Sequence, residues 1–170
     1  GTTGRRVPDG VYRARLETVF DNGVELVAQT APFVVDTLPP SVTLATPYTL
    51  FSPDGDGNRD AVRIEQRTSE EDEWRAAIRD AAGDIVREYL WRGTAESFIW
   101  DGTDAAGNLV EDGLYSYEIA ATDRAGNTIV RGVPALTVDT RVPRLFVTST
   151  SAAFSPNGDG TRDELGFDLY

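Results

Sequence analysis

The sequence predicts an all-β chain that folds as an antiparallel β-sandwich, and three observations lead to this prediction. Polar and apolar residues alternate with period two in most segments, as in LYSYEIAAT at 114–122, and such alternation is typical of half-buried strands. Turn sequences such as DAAGD at 80–84 and DRAGN at 123–127 separate these segments, because Asp, Asn and Gly favour turns. No long segment has helical spacing, and only 68–82 is ambiguous.

The individual strands are predicted from the same alternation. In 61–67 the pattern buries Val62 and Ile64, and in 73–80 it buries every second residue, including Ile78. The other predicted strands are 11–19, 41–46, 84–90, 97–100, 114–122 and 128–138. Seven or so short strands within about 100 residues indicate an immunoglobulin-like sandwich. The Cys-Trp-Cys signature of antibody domains is missing, since the chain has no cysteine.

One loop sequence occurs twice in the chain. FSPDGDGNRD at 51–60 returns 103 positions later as FSPNGDGTRD, and residues 4–67 align with 107–170 without a gap. Matching residues in this alignment include Gly4 with Gly107, Tyr12 with Tyr115, Val35-Asp36-Thr37 with Val138-Asp139-Thr140, and Pro40 with Pro143. A constant spacing of this size predicts a tandem repeat of one small domain of about 103 residues.

The repeat predicts the domain boundaries. VDTLPP at 35–40 and VDTRVP at 138–143 read as short, stiff junctions, because proline favours extended backbone at its own position and the one before it. Residues 38–139 then form a complete domain, with 1–37 as the C-terminal part of a preceding repeat and 140–170 as the N-terminal part of a following one. The absence of methionine, even at position 1, predicts an excerpt of a longer protein.

The amino-acid composition excludes several classes of function. Histidine, cysteine and lysine are all absent, which removes the imidazole base, the thiol nucleophile, the Schiff-base amine and the usual zinc ligands. The net charge is −12, so a nucleic-acid partner is not expected. No apolar run is long enough to cross a membrane. The remaining oxygen-rich side chains favour hard cations such as calcium.

A set of turn and strand residues carries a resemblance to a known family. The matching elements are IRDAAGDIVR at 78–87, Trp100-Asp101-Gly102, Asp104, Gly107-Asn108, Asp112-Gly113 and Tyr115. Together they resemble the immunoglobulin-like domain of the flagellar hook-capping protein family (FlgD/Vpr-type), which also ends some secreted bacterial proteases. The resemblance covers 60–127, and 1–27 in an earlier copy. FSPNGDG-type loops, in turn, resemble the openings of many bacterial cell-surface modules.

The resemblance implies a fold and a context rather than a chemistry. It implies a bacterial protein that is secreted, periplasmic or displayed on the cell surface. Hook-capping proteins carry one such domain beside an assembly region, whereas here the copies stand in tandem. That difference favours a modular surface or periplasmic protein over a hook cap.

The acidic loop is the candidate metal site. Asp54, Asp56, Asn58 and Asp60 stand at alternate positions, as the first oxygen ligands of a calcium loop do. The match to a helix-flanked calcium loop is incomplete, because Arg59 stands where that loop needs glycine. The sequence therefore predicts a shorter β-sandwich calcium loop, with a metal-free loop held by Asx turns as the alternative.

The second copy of the loop predicts a weaker site. It carries Asn157, Asp159, Thr161 and Asp163 at the same spacing, so it has fewer charges for a cation. The acids around Asp104 are better explained as turn residues. Trp74 and Trp100 are expected in the core, and Trp91 is left as a candidate contact residue for a glycan or protein partner.

These observations predict a non-catalytic structural or scaffolding module, stiffened by calcium near its junctions. No acid pair requires a catalytic explanation, so an enzyme is not expected. The alternatives are an adhesin or carbohydrate- or protein-binding module, and an accessory domain of a secreted protease. The expected partners are neighbouring repeats of the same chain, other protein chains or surface glycans. Because the two partial copies supply different parts of one domain, they are also expected to complement each other between molecules.

Overall fold

The structure is a computed structural model, and it describes residues 6–142, 144 and 146–169. Over these residues the chain is all-β and contains no helix, which confirms the predicted fold class. Gly4 and Pro143, two residues that matched in the repeat, lie outside the described residues. The described part of the chain has no helix that is long and apolar enough to cross a membrane.

The central domain is a sandwich of two sheets. Its strands are β5 (Val42–Ala45), β6 (Leu50–Phe51), β7 (Val62–Thr68), β8 (Glu71–Arg79), β9 (Ile85–Gly93), β10 (Phe98–Trp100), β11 (Gly113–Thr122) and β12 (Thr128–Val138). One sheet has the order β10-β7-β5 and the other the order β6-β12-β11-β8-β9. All neighbouring pairs are antiparallel except β6 and β12, which run parallel.

The core lies between these two sheets, and the predicted alternation places residues in it. Val62 and Ile64 of β7 are fully buried, as predicted, and so are Trp74 and Ile78 of β8. Trp74 and Trp100 are both 0% exposed, which confirms that these two tryptophans are core residues. The ambiguous segment 68–82 holds strand β8, because its apolar residues follow period two and not the helical period.

Two features tie this sandwich to the immunoglobulin-like class without a disulfide. The Tyr115 hydroxyl donates to the carbonyl of Glu111 at 2.7 Å, which is the tyrosine corner of such domains. Trp74 is the buried tryptophan on the strand that pairs with the corner strand. Tyr117 stands two residues after the corner tyrosine, where antibody domains place a cysteine.

The N-terminal flank reproduces part of the central domain in the same register. It contains β1 (Gly10–Tyr12), β2 (Arg15–Val19), β3 (Glu25–Gln29) and β4 (Phe33–Val35). Gly10 pairs with Val35 and Arg15 with Gln29, as Gly113 pairs with Val138 and Glu118 with Gly132, each 103 positions later. The predicted continuous strand over 11–19 is wrong in one respect, because it is broken at residues 13–14 into β1 and β2.

The C-terminal flank, residues 141–170, forms a separate compact unit. Its strands β13 (Val147–Ser149) and β14 (Phe167–Leu169) pair so that Val147 faces Leu169. Leu44 faces Gln66 in the central domain, 103 positions earlier. These shared registers support the tandem repeat and its boundaries at 37 and 140, both of which stay predictions.

Candidate functional site

The acidic loop joins β6 to β7 and is anchored by its first residues. Phe51 is buried, and the amide of Ser52 donates to the carbonyl of Arg59 at 2.9 Å to close the loop. Arg59 has a φ of +57°, a conformation that costs energy for a residue with a side chain. A Cβ on Gly102 would lie 2.9 Å from the ring of Pro53, so glycine at this position lets the loop rest on the domain.

The loop brings three of the four predicted ligands together. One carboxylate oxygen from each of Asp54, Asp56 and Asp60 lies within 4.8 Å of the other two. Asp60 is fixed by the amides of Gly55 and Gly57, which donate to its two oxygens at 3.1 and 2.9 Å. Three exposed or half-exposed carboxylates at this spacing are a donor set that suits a hard cation such as calcium.

Asn58 and Glu65 stand apart from this group. Asn58 enters the loop's hydrogen bonding through its backbone amide, which donates to Asp56 Oδ1 at 2.7 Å. Glu65, at the position where a helix-flanked calcium loop has its last acid, lies on β7 and pairs with Arg63 at 3.4 Å.

The same loop also satisfies the metal-free alternative. The Asp56 amide donates to Asp54 Oδ1 at 3.1 Å, and with the Asn58 amide this makes two consecutive Asx turns. A carboxylate oxygen that accepts one hydrogen bond keeps a second lone pair. The geometry is compatible with both hypotheses, and the metal stays a prediction.

The second loop has the same backbone and a poorer set of ligands. Arg162 has a φ of +57°, and the amides of Gly158 and Gly160 donate to Asp163 as their counterparts do to Asp60. The Asn157 side chain donates to Asp159 at 2.9 Å, and this bond holds the pKa of Asp159 below its ordinary value. Over the described residues the only group of three converging acids is the one in the first loop, and the weaker second site stays a prediction.

The structure places the acidic loop at the end of the domain where the chain leaves. The Asp139 amide donates to the Phe51 carbonyl at 3.1 Å, next to the Thr137 amide that donates to Thr49. In the sequence the loop follows the junction at 35–40, yet in space it lies beside the start of the next junction at 138–140. The loop lies there because β6, which precedes it, pairs in parallel with the end of β12.

The residues around Asp104 are turn residues, as predicted. Three pentapeptides, 80–84, 104–108 and 123–127, share one hydrogen-bonded turn. In each, the first aspartate accepts from two backbone amides, as Asp104 does from Ala106 and Asn108 at 2.8 and 2.9 Å. These bonds lower the pKa of Asp104, the bond to Asn108 being the largest cause.

Trp91 is packed against the domain. Its ring stacks on Tyr89 at 5.5 Å between centroids with an angle of 4° between planes, and Phe98 lies 6.1 Å away. Trp91 is half-buried against the core cluster, so a ligand would have to reach its remaining exposed part. Its role as a contact residue stays a prediction.

Asn127, which contacts the first junction, was missed by the sequence analysis. The Asn127 side-chain amide donates to the carbonyls of Asp36 and Leu38 in the first junction, at 3.2 and 3.4 Å. The asparagine at the end of the DRAGN turn is only a weak sequence signal for this contact. The similar turn DAAGN at 104–108 also ends in asparagine and makes no such contact among the described residues.

The comparisons with known proteins agree with this geometry. Residues 52–125 match the family model of the FlgD Ig-like domain. The match begins at the acidic loop and ends in the DRAGN turn, so it covers most of the central domain. No curated protein matches the chain.

Proposed function

We propose that the chain is a non-catalytic structural module, a spacer or assembly scaffold of tandem repeats, because residues 52–125 match the model of the FlgD Ig-like domain. The match to an FlgD Ig-like domain supports a structural module, and as a match of fold it assigns no chemistry to the chain. By the same match we propose a bacterial protein that is secreted, periplasmic or on the cell surface.

The path of the chain through the central domain carries this proposal. The chain enters at the start of β5, where the first junction contacts the turn that precedes β12. It leaves at the end of β12, which runs parallel to β6. The chain therefore enters at one end of the sandwich and leaves at the opposite end. Domains connected in this way extend end to end, as a spacer requires.

Recurring contacts at the ends of two copies support the tandem arrangement. Thr37 donates its amide and hydroxyl to Asp9 at 3.2 and 2.9 Å. Thr140 donates the same two groups to Asp112 at 3.0 and 2.9 Å. Each copy thus fixes the third residue of the junction that follows it.

Single-molecule force spectroscopy tests the proposed spacer role. With handles attached near residues 6 and 169, the load passes through the parallel pair β6 and β12 in shear. We expect the central domain to unfold in one cooperative step that releases about 30 nm of chain, at roughly 3.4 Å per residue. Gradual lengthening under low force without such a step would contradict a load-bearing role.

We further propose that calcium binds Asp54, Asp56 and Asp60 and stiffens the exit end of the domain. A cation among the three carboxylates would offset their mutual repulsion and stabilise the folded state by mass action. Millimolar calcium is expected to raise the melting temperature of the chain and not that of the Asp56→Asn variant. Asp159→Asn in the second loop is the matched control and should keep the response. An unchanged melting temperature in the unaltered chain would reject the metal.

A further inference from the structure

The first junction is hydrogen-bonded from both of its sides. From the preceding copy, Asp9 accepts the amide and hydroxyl of Thr37. From the central domain, the Asn127 side chain donates to the carbonyls on either side of Thr37, those of Asp36 and Leu38. Three consecutive linker residues are thus held from two directions in the sequence. Asp9 stands 28 positions before Thr37, and Asn127 stands 91 positions after Asp36.

The Asn127 side chain is aimed at the linker by its own turn. Its side-chain nitrogen donates to Asp123 Oδ2 at 2.8 Å, and its backbone amide donates to Asp123 Oδ1 at 2.9 Å. The side-chain bond is the largest cause of the lowered pKa of Asp123. The asparagine therefore has its orientation fixed before the linker contacts it, which reduces the entropy lost on binding.

The other turns of the same form show that this contact is specific. Asn108 closes the same turn, and its side chain donates to Asp104 at 3.2 Å. The third turn ends in Asp84, whose carboxylate has no N–H to donate. Of the three turns, the one at the entrance of the domain is the one whose last side chain bonds the linker.

The linker's own sequence restricts its backbone conformation. The Leu38 amide donates to Asp36 Oδ1 at 3.0 Å, which makes a local turn. Pro39 and Pro40 follow, and Pro40 is buried. Two prolines restrict the backbone on the domain side of the contact, so few additional bonds are needed to fix the direction in which the preceding copy points.

We propose that Asp123 and Asn127 form an interaction surface for the linker of the preceding repeat, and that this surface fixes the angle between successive repeats. The partner is an extended segment of backbone whose carbonyls accept from Asn127. This inference rests on the proposed spacer function. It adds that Asn127 is the residue that makes the first junction rigid.

Distance measurements between two spin labels test the surface directly. The chain has no cysteine, so Thr18→Cys on β2 and Glu88→Cys on β9 introduce the only two labelling sites. Both residues are exposed. Double electron–electron resonance is recorded on the labelled chain, on the same chain with Asn127→Ala, and on the same chain with Asn108→Ala as the matched control.

The labelled chain is expected to give one narrow distance distribution. Asn127→Ala is expected to roughly double its width, as a freed linker samples a wider range of end-to-end distances, and Asn108→Ala is expected to leave it unchanged. A narrow distribution that Asn127→Ala does not broaden would overturn the inference and leave the spacer function standing. A broad distribution in the labelled chain itself would overturn both. Equal broadening by the two variants would assign the effect to turn stability and reject the linker surface.

Discussion

Gln66 is the residue that joins the two sheets of the central domain by hydrogen bonds. It is 5% exposed, and its side-chain oxygen accepts from the Tyr117 hydroxyl at 2.6 Å while its nitrogen donates to the Glu96 carbonyl at 2.6 Å. Tyr117 occupies the position of a disulfide cysteine in antibody domains. A polar bridge between β7 and β11 therefore stands where that class of domain uses a covalent one.

Replacing Gln66 with alanine is expected to lower the free energy of unfolding by about 1–3 kcal/mol, because the Tyr117 hydroxyl then loses its buried partner. Urea unfolding followed by tryptophan fluorescence measures the change. Gln29→Ala, at the other glutamine of the chain and on the exposed strand β3, is the control. Equal effects of the two substitutions would show that the hydrogen-bonded bridge between the sheets makes no specific contribution to the free energy of unfolding.

Tyr89 is expected to make the domain sensitive to alkaline pH. Burial raises the pKa of Tyr89 from 10.0 to about 12, and it raises that of Tyr117 as well. The folded state thus favours the neutral phenols, so their contribution to stability is present below pH 10 and is lost as the pH rises from 10 towards 12.

Tyr89→Phe is expected to make that alkaline loss shallower. The Tyr89 hydroxyl is buried without a hydrogen-bond partner among the described residues, so its removal should leave stability at neutral pH almost unchanged. Melting temperatures measured from pH 8 to pH 12 compare the two chains. Identical slopes above pH 10 would contradict the assignment to Tyr89.

The β11–β12 hairpin contains a glycine where its two strands approach closely. A Cβ on Gly132 would lie 2.5 Å from the carbonyl oxygen of Tyr117. The equivalent position in the N-terminal flank is Gln29, and there the partner strand is broken into β1 and β2. Glycine at 132 therefore allows the two backbones to approach closely beside the register shift between Tyr115 and Tyr117.

Gly132→Ala is expected to destabilise the central domain by about 1–3 kcal/mol, since the backbone must move to accept the methyl group. Hydrogen exchange of the β11 amides should speed up on both sides of Tyr117. Gly113→Ala tests a glycine on the same hairpin that has open space around it. An unaltered melting temperature in Gly132→Ala would show that the strand adapts without cost.

The elements of this fold were largely predictable, because each depends on local alternation. Period two alone predicts that Val62, Ile64 and Trp74 lie in the core, where the structure places them. The broken strand at residues 13–14 was not predictable, because the alternation of Tyr12, Ala14 and Leu16 continues through the break. The position of the acidic loop at the exit end was also hidden, because it follows from the parallel pairing of β6 with β12, which are distant in sequence.

At the scale of the whole molecule, the two flanks expose positions that the central domain buries. Leu16 is 68% exposed and Phe167 is 62% exposed. Their equivalents at the 103-residue spacing, Ile119 and Ile64, are both 0% exposed. Exposed apolar residues on a sheet face favour association with another protein surface.

The chain is therefore expected to self-associate reversibly as its concentration rises. Sedimentation velocity over a hundredfold range of concentration measures this association. Leu16→Ser combined with Phe167→Ser is expected to shift the association to higher concentration, and Leu109→Ser, at an exposed leucine of the central domain, should leave it unchanged. A strictly monomeric chain at every concentration would contradict complementation between molecules.

The central claim is that successive repeats are joined by an ordered linker and act together as a spacer. Residual dipolar couplings of backbone amides in a weakly aligned sample test this claim most directly. The account predicts that one alignment tensor fits the couplings of β1–β4 and of β5–β12 together, with the amides of residues 36–38 included. Two independent tensors of different magnitude would show that the first junction is a free hinge, and would contradict the account.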